Sequence, residues 1–309
     1  MITSIFKKST ILNYSLIVVL LIVFFVLYLN NGSVQVTTSL GLIGVSKLIV
    51  LLLASFFLVN FMVKKNGLTK NSCYTVLFFL LFLMLFPQLF IDTHLLFANF
   101  FLLLAMRRMI SLQTLKAPKE KIFDASMWIF IASLFHFWCI LFIFIVYLSI
   151  LFHVSRDYRN WLLPFIAFIV VAVIFGLTSM VYNPKWIHQV LSQTQVDFEW
   201  QYLTYSYQNM AMILYSIIGV YFLLTAVFSL TNRPLILQAS YKKMIVAFLI
   251  GGLLFMMSPD KNSSLLLFSF MPLAVMGTNN IEYSPNKMYQ EIVLSLVTIG
   301  CFIAYFIQL

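Results

Sequence analysis

The stretch Ile122–Phe152, IFDASMWIFIASLFHFWCILFIFIVYLSILF, decides how the chain is read. It places one histidine, His136, between two apolar runs. If the stretch crosses a bilayer once, everything after it faces one side. If it folds back near His136, everything after it faces the other.

Composition places the stretch in a membrane protein. The chain has 309 residues, 62% hydrophobic and 9% charged, against roughly 25% charged in a soluble domain. So few charges cannot cover a water-facing surface, so lipid must cover most of it. No soluble stretch is long enough for a second domain, so residues 1–309 read as one integral membrane domain. The 33 phenylalanines suit a lipid-facing surface. The net charge of +10 does not argue for nucleic acid, because the basic residues sit in short loops between apolar runs. Cys73, Cys139 and Cys301 show no paired or metal-type spacing, so neither a disulfide nor a metal site is expected.

A spanning helix needs about 20 apolar residues. Outward from 122–152, the candidates are Ile11–Leu29, Gly41–Val63, Tyr74–Phe90, His94–Met109, Trp161–Tyr182, Met210–Leu230, Met244–Met257, Ser263–Gly277 and Ile292–Gln308. The first follows Lys7 and Lys8 with no small-residue cleavage site after it, and reads as a retained helix. Met244–Met257 and Ser263–Gly277 flank Ser258-Pro259-Asp260-Lys261 as a tight helical hairpin. The polar gap 183–209 reads as an extracytoplasmic interfacial loop, with an amphipathic helix around Trp186–Val190.

Lysine and arginine favour cytoplasmic loops. With Lys7 and Lys8 inside, the first half obeys this rule up to Arg107, Arg108, Lys116, Lys119 and Lys121. One long helix at 122–152 would put Arg156, Arg159, Arg233, Lys242 and Lys243 outside. A hairpin at His136 puts sixteen of the 19 Lys/Arg inside and only Lys185 and Lys261 outside, with Lys47 within a helix. Its cost is length. Arms of about 14–16 residues reach only about 21–24 Å, less than a ~30 Å hydrocarbon core, and no Gly or Pro marks the turn. The reading adopted is the hairpin: an all-α polytopic bundle of about 10–11 membrane segments, with the N-terminus cytoplasmic.

With that topology the rare polar groups fall mostly on the outer side. Asp92 and His94 lie between two helices, His136 at the hairpin tip, Lys185, His188, Asp197 and Glu199 in the long loop, and Asp260 and Lys261 in a short one. Lys47 lies about two turns into its helix, where charge is expensive. Ordinary readings stand beside these. Lys47 snorkels to the interface, Asp92 and His94 are solvated loop residues, His136 is a neutral core histidine, and Asp260-Lys261 is a turn ion pair. As chemistry, the carboxylates and histidines supply a general base, and Lys47, Lys185 and Lys261 supply point charges for a pyrophosphate. The phosphate-loop, dinucleotide, nucleophile-elbow and zinc-protease motifs are absent from the sequence, so no soluble cofactor is expected.

His94–Leu112, HLLFANFFLLLAMRRMISL, then a basic linker and Trp128–Leu148, WIFIASLFHFWCILFIFIVYL, resemble a pattern in Wzy-like and EpsG-like bacterial polysaccharide polymerases of the GT-C glycosyltransferase superfamily. Ile131–His136 matches the LASxFH part and Arg107 the basic helix end. Thr93-His94 stands where that family has Arg-Gln, and Phe137-Trp138 replaces small residues. The chain start, MITSIFKKST, and the PDKNSSLLLFSFMPLA segment also resemble an uncharacterised family of bacterial inner-membrane proteins. The polymerase resemblance implies a GT-C-like fold and a polyprenyl-pyrophosphate-linked glycan as partner beside the lipid bilayer. It implies His136 and His94 at the acceptor or pyrophosphate, Asp92 as base and Lys47 as phosphate partner. A non-catalytic subunit of an assembly complex and a transporter or flippase are the alternatives.

Overall fold

The computed structural model describes residues 2–31, 35–196, 206–259 and 261–309. Among them the chain is helical and contains no strand. The helices are α1 (Ile2–Phe6), α2 (Ile11–Asn31), α3 (Gln35–Lys65), α4 (Tyr74–Leu85), α5 (Thr93–Ser111), α6 (Pro118–Phe135), α7 (Ile143–His153), α8 (Arg159–Tyr182), α9 (Lys185–Ser192), α10 (Ser206–Ser229), α11 (Leu235–Met257), α12 (Leu267–Tyr283) and α13 (Lys287–Gln308). Eight helices among the described residues are long and apolar enough to cross a membrane. Tyr74–Leu85 and Phe137–His153 are shorter apolar helices. With α6, which carries charge in its first two turns, the segments come to eleven. The protein is an all-α multi-pass integral membrane protein.

The chain forms two compact units. The first comprises Met1–Thr93, Gln201–Asn232 and Phe270–Leu309, the second His94–Trp200 and Arg233–Ser269.

In the first unit α4 is the axis. All twelve of its residues are buried, so its sequence, YTVLFFLLFLML, has no polar face. Phe78, Phe82 and Phe86 stack edge-on or face-on with Phe222, Tyr215 and Phe270 from α10 and α12. Aromatic pairs of this kind add specificity to packing where lipid offers no hydrophobic driving force. One end of the unit is closed by Tyr74 Oη donating to the Thr3 carbonyl (2.6 Å) and by Glu282 accepting from Ser72 (2.5 Å) and from the Lys70 backbone N–H (2.7 Å). At the other end Tyr305 donates to the Phe24 carbonyl (2.5 Å) and Gln308 to the Leu85 carbonyl (3.0 Å).

In the second unit 122–152 is folded back on itself. α6 starts at Pro118, inside the basic linker, and ends at His136, whose backbone is extended (φ −147, ψ 108). A 3₁₀ stretch, Phe137–Phe142, leads into α7. Lys119 at the start of α6 pairs with Asp157 beyond α7 (3.2 Å), so both arms return to the same end. The expected shortness of the arms is relieved in two ways. α6 gains a turn from the linker, so its 18 residues reach about 27 Å. The second arm begins with six residues of 3₁₀ helix, which rises about 2.0 Å per residue instead of 1.5. The whole arm then reaches about 28 Å, near the ~30 Å core. The turn needs neither Gly nor Pro, because one extended residue between the two helix types redirects the chain.

α8 packs along α6, with Phe130, Ala167 and Val171 at the centre and Phe123, Met127, Ile131 and Leu134 around them. α11 runs from Leu235, longer than the expected Met244–Met257, and so takes Lys242 and Lys243 into the helix. Lys243 is fully buried there.

Candidate functional site

The end of the second unit away from Lys119 and Asp157 is built from the start of α5, the end of α6, the 3₁₀ stretch, the end of α11 and the turn into α12. α5 begins with His94 exposed. Phe97 and Phe101, on the same face, stack on Phe135 (5.4 and 5.7 Å between centroids), and the His94 ring lies 6.5 Å from Phe135. His94 thus lies near Phe135, the residue that precedes His136 in the chain.

His136 itself is turned inward. It is 9% exposed, and its ring stacks on Phe268 at 5.8 Å and 28°. Its Nε2 is buried and has no hydrogen-bond partner in the protein. Three other polar atoms of the second unit share that condition. Trp138 Nε1 follows two residues on, Ser258 Oγ ends α11, and Ser264 Oγ sits one turn before Phe268. The 3₁₀ stretch and the turn Ser263–Leu266 both pack against α11, and the His136–Phe268 stack ties the end of α6 to the turn that carries Ser264. Buried polar atoms are almost always paired, because leaving one unpaired costs about 1–3 kcal/mol. Four at one end of a unit mark a place suited to hydrogen-bonding with something other than the protein. The groups are neutral: an indole donor, two hydroxyls and an imidazole. Asn99 Nδ2 is also unpartnered but lies on the opposite face of α5 from Phe97 and Phe101.

The remaining candidates distribute as follows. Lys185 and His188 are exposed on α9. That helix is clipped to the same end, because the Phe137 backbone N–H donates to Gln193 Oε1 (3.1 Å). Lys261 is half-buried between α11 and the turn Ser263–Leu266, while Asp260, Asp197 and Glu199 lie outside the described residues. Asp92 is half-buried and belongs to the first unit, as does Lys47, exposed in the span Gly44–Lys65. The second unit therefore holds both histidines together with Lys185, His188 and Lys261. Among the described residues no group of three or more His, Cys, Asp or Glu could hold a metal ion.

Sequence reasoning did not single out Trp138, Ser258 or Ser264. Single serines and a tryptophan inside apolar runs carry no spacing signal. Ser258 and Ser264 are distinguished only by burial without a partner, which depends on tertiary packing.

Over residues 1–309 the chain matches the model of a family of unknown function, DUF6427. No curated protein matches it, and no solved structure does.

Proposed function

We propose that this chain, which belongs to DUF6427, binds a polyprenyl-linked sugar at the extracytoplasmic face of a bacterial inner membrane and acts there as a glycan polymerase or transferase. The N-terminus is cytoplasmic in this reading, as the basic loops require. The observation that carries it is the set of buried, unpartnered groups at His136, Trp138, Ser258 and Ser264. Neutral donors and acceptors beside the aromatic faces of Phe268 and Trp138 suit sugar hydroxyls and the apolar face of a sugar ring. Lys185, His188 and Lys261, nearer the surface of the same end, suit the pyrophosphate. The resemblance of Ile131–His136 to the polymerase pattern supports the same assignment.

In such a transfer the acceptor oxygen forms a bond to the anomeric carbon. The bond from that carbon to the pyrophosphate oxygen breaks, and the pyrophosphate leaves on its lipid. The acceptor proton passes to a base, and His136 Nε2 fills that role. The test is the surface-glycan profile of a bacterial host carrying His136→Ala or His136→Gln, with protein level followed by immunoblot. Loss or shortening of a glycan at unchanged protein level is expected. An unchanged profile overturns the proposal.

A second reading, a non-catalytic membrane subunit, draws on the first unit. There α10 and α13 leave an open apolar groove of about 760 Å³, lined by Ile213, Ile217, Leu296 and Gly300 among others. It predicts that His136 variants are tolerated while Gly300→Leu, which fills the groove, is not.

A further inference from the structure

We propose that α9 lies in the lipid headgroup layer and, through Gln193, fastens the His136 break to that layer. The inference does not depend on the chemistry proposed for His136.

Three observations carry it. The first is the pattern of α9, KWIHQVLS. At about 100° per residue, Trp186, Ile187, Val190 and Leu191 cover an arc of roughly 140°, and Lys185, His188, Gln189 and Ser192 fall on the opposite side. Nothing in α9 is buried, and Trp186 and Leu191 are 40% and 56% exposed. An apolar face with a tryptophan, backed by a lysine and a histidine, is the composition of a helix lying in the interface plane.

The second is where α9 begins. α8 has 24 residues, a length of about 36 Å, so it spans a ~30 Å core and ends among the headgroups. The turn after it is fixed: Ser179 Oγ donates to the Asn183 carbonyl (3.1 Å), and the Lys185 N–H donates to Asn183 Oδ1 (3.1 Å). Pro184 stiffens the same turn. The helix therefore leaves α8 at headgroup depth with its direction set.

The third is where it ends. One residue past α9, Gln193 Oε1 accepts the backbone N–H of Phe137, the residue after His136. That N–H opens the 3₁₀ stretch and has no helical partner of its own. The occupant of the apolar face is thus lipid, at the boundary of phosphate and acyl chain, and the lipid layer holds one end of a hydrogen bond that reaches the His136 turn.

The test uses the full chain in nanodiscs of phosphatidylethanolamine and phosphatidylglycerol. The native cysteines, all buried, are left in place, and nitroxides are attached at Trp186→Cys, Leu191→Cys and Gln189→Cys. Collision with oxygen, which concentrates in lipid, should exceed collision with a water-soluble nickel chelate at 186 and 191 and fall below it at 189. Nickel dominance at all three sites means α9 lies in water and overturns the proposal. Protection from both reagents at 186 and 191 means a second copy or a partner protein covers the face, and also overturns it. Hydrogen exchange in the peptide spanning 136–142 tests the fastening. Gln193→Ala should speed exchange of the Phe137 amide by up to about tenfold, and Gln193→Glu, which keeps an acceptor oxygen, should restore it. No change in the alanine variant removes the link between α9 and the break.

Discussion

Lys119 Nζ and the Asp157 carboxylate stand 3.2 Å apart with all but the first two residues of α6, the 3₁₀ stretch and α7 between them in the chain. That pair closes the base of the hairpin formed by 122–152.

A common side for both residues follows from it. A cysteine at Asp157 and one at Lys119 should behave alike toward an impermeant thiol reagent, and with the N-terminus cytoplasmic, as proposed above, both should resist it on intact cells and react only after permeabilisation. Labelling of one but not the other would mean that the stretch crosses once.

The same pair should be visible as a pH effect. The Arg159 backbone N–H, and then the Lys119 ammonium, hold the Asp157 carboxyl below its ordinary value. A depressed folded value means that the contribution is present above the unfolded value of about 3.9 and is lost as pH falls through the folded one. Both groups are exposed and screened by salt. The melting temperature of Asp157→Asn in detergent should therefore lie slightly below wild type at pH 7 in low salt, and the gap should close in acid and in 1 M salt. A gap independent of pH would assign the effect to something other than the charge.

Lys243 tests a different kind of contact. It is fully buried. Its Nζ donates to the Met109 carbonyl at 2.6 Å and lies 3.4 Å from His153 Nε2. It thereby satisfies a carbonyl in the last turn of α5. Lys243→Met keeps the bulk but leaves that carbonyl unpaired, at a cost of about 1–3 kcal/mol. Lys243→Ala adds a cavity and should cost more, about 2–5 kcal/mol in all. Unfolding in sodium dodecyl sulfate would rank the two. A methionine variant as stable as wild type would mean that desolvation of the ammonium cancels the bond.

Gly251 marks a close approach in the second unit, between α11 and Ser269. A Cβ built there would meet Ser269 Cβ at 2.8 Å and its backbone at 3.1 Å, whereas at Gly252 nothing lies within 4 Å. Gly251→Ala should destabilise by about 1–3 kcal/mol, while Gly252→Ala should be neutral or slightly stabilising through helix propensity. Equal effects at the two positions would refute the close contact.

The outline of the fold was legible because apolar runs and arginines carry it. With Lys7 and Lys8 placed inside, Arg156, Arg159, Arg233, Lys242 and Lys243 favour the hairpin before any geometry is known. Its means of spanning were not legible. FWCILF reads as continuous helix, and only the folded backbone shows the tighter winding. Lys243 read as a loop charge because lysine ordinarily ends a span. The carbonyl that admits it into the helix comes from α5, distant in sequence. At the candidate site His136 stood out as a lone polar residue in an apolar run, whereas Ser258 and Ser264 did not, since serines are common in membrane helices and usually bond back to their own helix. Asp92 and Lys47 were selected by charge alone, and they fall in a different unit from His136.

The second unit is discontinuous in the chain: His136 belongs to its first segment, and Ser258, Ser264 and Phe268 to its second. At ~5–20 residues per second, roughly ten seconds of synthesis separate the emergence of the histidine from that of the ring it stacks on. Throughout that interval the nascent hairpin must stay inserted without its final neighbours. The membrane insertion machinery, and any chaperone acting there, therefore handles an incomplete unit for much of the protein's biogenesis.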